Sequence, residues 1–299
     1  MAVQKDGTVR SRVLGAELRR RREAAGLEAA QLAHWLCWSP SKICNMERGT
    51  RGISETDAAM YLGFCRTKGQ DLKEVLSFFH EHGDHWLQPH GLQLSDELRG
   101  LIVLESTATQ IDWFEQSMIP GLLQTASYSR GLFYDSGLVA PEHVEALVRA
   151  RKARQAVLHR TNPPTCTFFI HEFALHMEVG GPGVMNDQLL HLVFTSDLPH
   201  VSIRVIPASA GPHAGLGGPF LVLEHAMHKP VVYLELETTS LFINRPETVA
   251  RYREIESNLA AIALDEGQSR SWLARRASEF DRPRGGHGAR PAADDDSVA

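Results

Sequence analysis

The stretch Ser39-Pro40-Ser41-Lys42-Ile43-Cys44-Asn45-Met46-Glu47-Arg48-Gly49 marks both ends of one short helix. Ser39 is a strong N-cap, Pro40 fits the first helical position because its missing N–H has no partner there, and Gly49 supplies a left-handed stop. Between these signals Ile43 and Met46 stand three apart and face inward, leaving Ser41, Lys42, Cys44, Asn45 and Arg48 around the outside. The outer face is polar but not acidic.

The flanking sequence supplies further helices. Leu14 and Leu18 recur at helical spacing on a segment that carries Arg19, Arg20, Arg21 and Arg22 and ends near Gly26. Leu32, Ala33 and Leu36 give a second apolar face over residues 28–37, Ala58, Ala59 and Leu62 a fourth segment over 54–65, and Leu72, Val75, Leu76 and Phe79 a fifth over 71–82. Five short helices in about 70 residues predict a compact all-α unit.

Charge separates this unit from the rest. The chain has a net charge of −5, yet residues 1–52 hold ten Lys/Arg against five Asp/Glu, so the remainder carries −10. A basic head on an acidic body is the asymmetry expected when only the head meets nucleic acid. No apolar run approaches the ~18 residues that cross a bilayer, so no membrane association and a cytoplasmic location are expected. Of the four cysteines, Cys37, Cys65 and Cys166 fall where a helix points inward, Cys44 is the exception, and no CxxC spacing suggests a zinc site or a disulfide framework.

The head resembles the lambda-type, or xenobiotic-response-element-type, helix-turn-helix family through LRRRREAAGL (18–27), the QLA of 31–33 and SKICNMERG (41–49). The resemblance implies that the third helix enters the major groove of double-stranded DNA, with Pro40, Ser41 and Asn45 against base edges. Asn45 is placed to pair with adenine N6 and N7. Lys42, Arg48 and Arg51 are placed for phosphates, and Arg22 and Glu47 are implied to form an ion pair locking the first helix to the third. Pro40 stands where many relatives have a base-reading glutamine, which thins the direct readout.

Beyond residue 84 the pattern mixes periods. The turn-rich GDHWLQPHGLQLSDELRG is read as the connection. Helices are expected over 96–107, 141–159, 186–194, 246–264 and 269–280, and strands at TCTFFIH (165–171), VSIRVIP (201–207), PFLVLEH (219–225) and PVVYLELE (230–237), with IDWFEQSMI (111–119) also alternating. The fold class expected is a five-helix helix-turn-helix head over 1–84, an α/β (α+β) regulatory and dimerisation domain with a mixed sheet over 85–282, and a disordered tail over 283–299.

This body resembles the C-terminal domain found behind such heads in actinobacterial regulators of the WhiJ type. Glu105, IPGLLQTASYSR (119–130), RKARQAVL (151–158), HEFALHMEVGG (171–181), VMNDQLLHL (184–192), VIPASAGPHAGLGGPF (205–220) and VVYLE (231–235) carry the likeness. It implies a transcriptional regulator, a repressor of developmental or secondary-metabolic genes, often paired with a small acidic partner protein encoded nearby; because heads of this type bind as pairs to half-sites one helical turn apart, a homodimer is expected. An antitoxin-like partner-binding protein that regulates itself through DNA stays open as the alternative.

Catalytic readings are weak. HEFALH puts two histidines at i and i+5, about 140° apart on a helix, whereas zinc-protease chemistry needs i and i+4. The segment reads better as a strand end followed by a helix start. GGPG (180–183) and AGLGG (214–218) match no phosphate-cradling pattern, and HEHGDHW (80–86) reads as a helix end. No enzyme activity, metal or cofactor is expected. Trp113, Phe114, Gln124 and Tyr128, near the Pro-Gly turn, either border a ligand or partner pocket or pack in the core.

Overall fold

The computed structural model describes residues 9–50, 52–77, 79, 85–89, 99–236 and 239–281. The head consists of α1 (Val9–Ala24), α2 (Ala29–Trp35), α3 (Pro40–Arg48), α4 (Glu55–Phe64) and α5 (Gly69–Ser77). The N-cap chemistry of α3 is as the sequence sets it: Ser39 accepts from the Lys42 N–H, Pro40 opens the helix, and Gly49 closes it at φ 63°. Leu14, Leu18, Leu32, Ala33, Leu36, Ile43, Met46, Ala58, Tyr61, Leu62, Cys65 and Val75 form one buried cluster. Cys37 departs from expectation: α2 ends at Trp35, and Cys37 adopts φ 54° just past it, which turns its thiol to solvent.

The body is built on a seven-stranded mixed sheet in the order β1-β7-β6-β5-β2-β3-β4. Its strands are β1 (His85–Pro89), β2 (Gln110–Glu115), β3 (Thr165–His171), β4 (Val201–Ile206), β5 (Phe220–Glu224), β6 (Val231–Glu235) and β7 (Thr239–Ile243). β2, β3 and β4 run parallel, and the other pairings are antiparallel. The helices are α6 (Arg99–Thr107), α7 (Ala126–Ser136), α8 (Pro141–Arg154), α9 (Glu172–His176), α10 (Pro182–Thr195), α11 (Pro246–Ile262) and α12 (Glu266–Asp281).

Strand alternation divides the body's core between two faces. Ile111, Trp113, Cys166, Phe168, Ile170, Ile203 and Val205 pack with Leu101, Leu104, Leu189, Leu192 and Leu273 on one face. Phe114, Phe169, Ile206, Phe220, Val222 and Val232 pack with Val249 and Leu259 of α11 on the other. The strand β1 occupies a stretch whose turn formers read as a connection. It lies at the sheet edge against β7, where Pro89 removes no interior ladder bond.

Helix α1 belongs to both cores. Leu14 and Leu18 face the head cluster, whereas Val9 and Val13 lie in the body's cluster with Leu101 and Leu104 of α6. Val13 and Leu14 are neighbours about 100° apart around the helix, so one helix presents two apolar rows to two different partners.

Backbone contact fixes α1 against α3. A Cβ on Gly15 would lie 2.4 Å from the Met46 carbonyl oxygen, and one on Gly49 would lie 2.4 Å from that of Ser11. Both atoms are main chain, so neither side can yield without moving a helix. Gly15→Ala is expected to lower stability by ~1–3 kcal/mol, the range for overpacking. Chemical denaturation checks this, and an unchanged midpoint would show that the two helices are not in backbone contact.

Candidate nucleic-acid interface

The exposed edge of α3 is formed by its first turn and its last. Pro40, Ser41 and Arg48 are exposed, and Lys42, Cys44 and Asn45 are half-buried. Thr50 lies beside Asn45, with its hydroxyl 3.3 Å from Asn45 Oδ1, close enough to donate to it. That contact leaves the Asn45 amide nitrogen for an outside acceptor and restrains the side chain. Pro40, Ser41 and Asn45 thus share one helix, two of them exposed at its first turn.

Lys42 is committed elsewhere. Its ammonium donates to Asp57 Oδ1 of α4 at 2.8 Å and lies 3.7 Å from the centre of the Trp38 ring, which ties α3 to α4. It is therefore half-neutralised before any phosphate arrives. Arg48 remains exposed, and Arg51 lies outside the described residues. The arginine run of α1 is also paired internally: Arg19 with Glu23, Arg20 and Arg21 with Glu17, and Arg21 with Asp71.

Arg22 locks α1 to α3 through Glu47. Its Nε and Nη2 donate to the two carboxylate oxygens at 2.7 and 3.0 Å, Nη1 donates to the Leu27 carbonyl, and the Tyr61 hydroxyl donates to Glu47 Oε1 at 2.6 Å. Both charged side chains are nearly buried, at 8% and 10% exposure. The Glu47 hydrogen bonds raise the Arg22 pKa, while burial and then the same carboxylate raise that of Tyr61. Removing one partner of such a pair costs about 3–5 kcal/mol, because the other charge is left buried alone.

The joint between head and body is also polar at its centre. Arg12 is buried, with no carboxylate against it among the described residues. Its Nη2 donates to Thr107 Oγ1 at 2.7 Å and lies 3.1 Å from His225 Nδ1. A guanidinium only donates, so His225 Nδ1 must be the acceptor and that ring is neutral. Burial lowers the Arg12 pKa to about 10, and burial followed by the Arg12 charge pushes His225 down to about 3. The sequence gives no local sign of this triad, since its members are 95 and 213 residues apart.

The body's residues expected near a pocket do not converge on one. Trp113, Gln124 and Tyr128 are buried on one side of the sheet, and Phe114 lies on the other, edge-on to His213. The first three shape the Pro-Gly turn instead. Gln124 donates to the Ile119 carbonyl and accepts from Ser129 and Arg151, and Trp113 Nε1 donates to Glu115 at 3.0 Å. Burial pushes the Glu115 carboxyl up to about 8, against the smaller lowering effect of Trp113, and lowers Arg151 to about 10. Beside them Arg154 donates twice to Glu105, at 2.6 and 2.9 Å, with both side chains buried. A groove of about 790 Å³ between β3, β4 and α11 is lined by none of the four.

No helix among the described residues is long and apolar enough to cross a membrane. No group of three or more His, Cys, Asp or Glu placed to hold a metal occurs among them. A helix-turn-helix domain profile matches residues 13–76, and that of a domain of unknown function (DUF5753) matches residues 98–275. Among curated proteins no relative matches. Among solved structures, that of TrmBL2, an archaeal chromatin protein described as showing a novel mode of DNA binding, aligns over 83% of this chain and 93% of its own. The identity is 11% and the TM-score 0.29.

Two outcomes follow from this geometry. Asn45→Ala is expected to weaken the preferred duplex by ~1–3 kcal/mol and leave random DNA unaffected, whereas Arg48→Ala weakens both and lowers the salt slope by about 1. Anisotropy titrations on both duplexes separate the two. For His225, the unfolded ring takes its proton near the ordinary 6.5 and the folded one near 3, so acidification through that window removes stability. Thermal midpoints should fall as pH drops from 6.5 toward 3, and fall less steeply in His225→Gln.

Proposed function

Since the chain belongs to the DUF5753 family and carries a helix-turn-helix domain ahead of it, we propose that it is a sequence-specific transcriptional regulator whose body sets the geometry of the DNA-reading head. The observation that supports this best is α1, which packs into both cores and donates from Arg12 into the body. A head attached by a loose tether needs no such shared helix. In this reading the body is not an enzyme. It pairs two copies so that two reading helices meet half-sites about 34 Å apart, one turn of the duplex.

The likeness to WhiJ-type regulators favours a repressor of developmental or secondary-metabolic genes, located on the nucleoid. The second reading, an antitoxin-like protein whose main ligand is a small acidic partner, is favoured by one observation. Trp35 and Phe64, 44% and 41% exposed, lie side by side on the outside of the head, their ring centres 6.3 Å apart and tilted by 30°. Co-expression with the adjacent gene product and purification at high salt distinguishes the two readings.

The test of the first is fluorescence anisotropy of the purified protein on duplex from upstream of its own gene, at several salt concentrations and against random competitor. With the arginines at 19–22 paired internally, three to five phosphate contacts per head are expected, which gives log K against log salt a slope of about −2.7 to −4.5. A slope near zero, or equal affinity for random duplex after both neighbouring promoters are tried, would overturn the regulator reading.

A further inference from the structure

Two imidazoles stack at the carboxyl ends of the parallel strands. His171 is the last residue of β3, and His213 lies in the loop from β4 to β5. Their ring centres are 5.4 Å apart with 28° between planes, and Phe114 meets His213 edge-on at 5.9 Å. Both side chains are half-buried. Neither is used by the DNA-binding reading.

Their hydrogen bonds fix where the protons sit. His171 Nδ1 accepts the Phe173 main-chain N–H at 3.1 Å, and His213 Nδ1 accepts that of Gly215 at 3.1 Å. A nitrogen that accepts carries no hydrogen, so in each neutral ring the proton is on Nε2. Burial lowers the basicity of both, and His213 lowers that of His171 further. The rings are therefore neutral donors, and neither Nε2 has a partner among the described residues. Glu172, next in the chain, is engaged at both oxygens, one accepting from the Ala208 N–H at 2.7 Å and the other 3.1 Å from His176 Nε2.

A divalent metal does not suit this pair. Coordination needs the Nε2 lone pair, which would move the ring proton to Nδ1 and set it against a main-chain N–H. The complementary ligand is an acceptor. In open α/β sheets the crevice outside the carboxyl ends of parallel strands is also where ligands bind.

We propose that His171 and His213 form a two-donor site for the oxyanion of a small ligand, a phosphoryl or carboxylate group, at the carboxyl end of β3 and β4. The two Nε2–H groups donate to it together. The proposal goes beyond the regulator reading and is measured without DNA, so the failure of either leaves the other standing.

The test uses full-length protein labelled with ¹⁵N at histidine. Long-range ¹H–¹⁵N spectra at neutral pH are expected to show the Nε2–H tautomer at both rings. Inorganic phosphate or acetate, titrated at constant ionic strength against chloride, should then shift both ring signals saturably, and the anion that saturates names the group. His171→Asn and His213→Asn retain a cap acceptor and lack the Nε2–H, so each is expected to keep the fold and weaken binding roughly five- to ten-fold. Unfolding of either variant is read from its thermal midpoint, and the wild-type tautomer and titration stand independently of it. An Nδ1–H tautomer, saturation by zinc in place of the anions, no saturable shift with either anion, or unchanged affinity in both folded variants would overturn the proposal.

Discussion

One helix belonging to two cores is the constraint on which the rest of the molecule depends. The Val9/Val13 row of α1 is buried in the body and the Leu14/Leu18 row in the head. Helix α3 is then fixed to that same α1 by glycine contacts and by Arg22 and Glu47. Rotation of α3 relative to the sheet would have to break apolar packing at one interface or main-chain contact at the other. The direction in which Ser41 and Asn45 point is thus set by the body as much as by the head.

Charge is distributed to serve that rigidity first. Of the arginines at 19–22, Arg22 crosses to α3, Arg21 to α5, and Arg19 and Arg20 are balanced within the helix. A surplus of five positive charges in the first 52 residues therefore overstates what the head offers to phosphates. Surface pairs of this kind are worth little each in stability, but they lower the positive potential that DNA meets. The body applies the same economy deeper down, where Glu105 and Arg154 neutralise one another inside the core while Glu115 and Arg151 keep buried atoms without partners.

What the sequence made legible was local. The limits of α3 follow from Ser39, Pro40 and Gly49, whose effects act within a turn, and HEFALH divides into a strand end and a helix start because His171 caps the following helix through its own ring. The polar outer face of α3 was equally readable. What escaped depends on distant partners. Lys42 pairs with Asp57 of the next helix, Arg12 finds Thr107 and His225 across the whole chain, and HWLQP becomes a strand only because β7 supplies an edge. Phe114 and Trp113 are adjacent in sequence and serve opposite faces, which alternation implies once the strand is known but which a shared pocket contradicts.

The two unusual polar places in the body are joined by a single strand. Phe114, edge-on to His213, packs at 5.8 Å on Phe220, the first residue of β5, and the residue that follows the last of β5 is His225, which receives Arg12. A strand transmits displacement along its length better than a loop does, because its ladder bonds to β2 and β6 resist bending. Contiguity is not coupling, however: a ligand at the histidine pair moves the head only by as much as it favours one arrangement of that strand over another. Arg12 is suited to report such a choice. It is a buried cation held by two neutral acceptors and, among the described residues, by no carboxylate, so a small displacement of His225 changes its hydrogen bonding without having to break an ion pair.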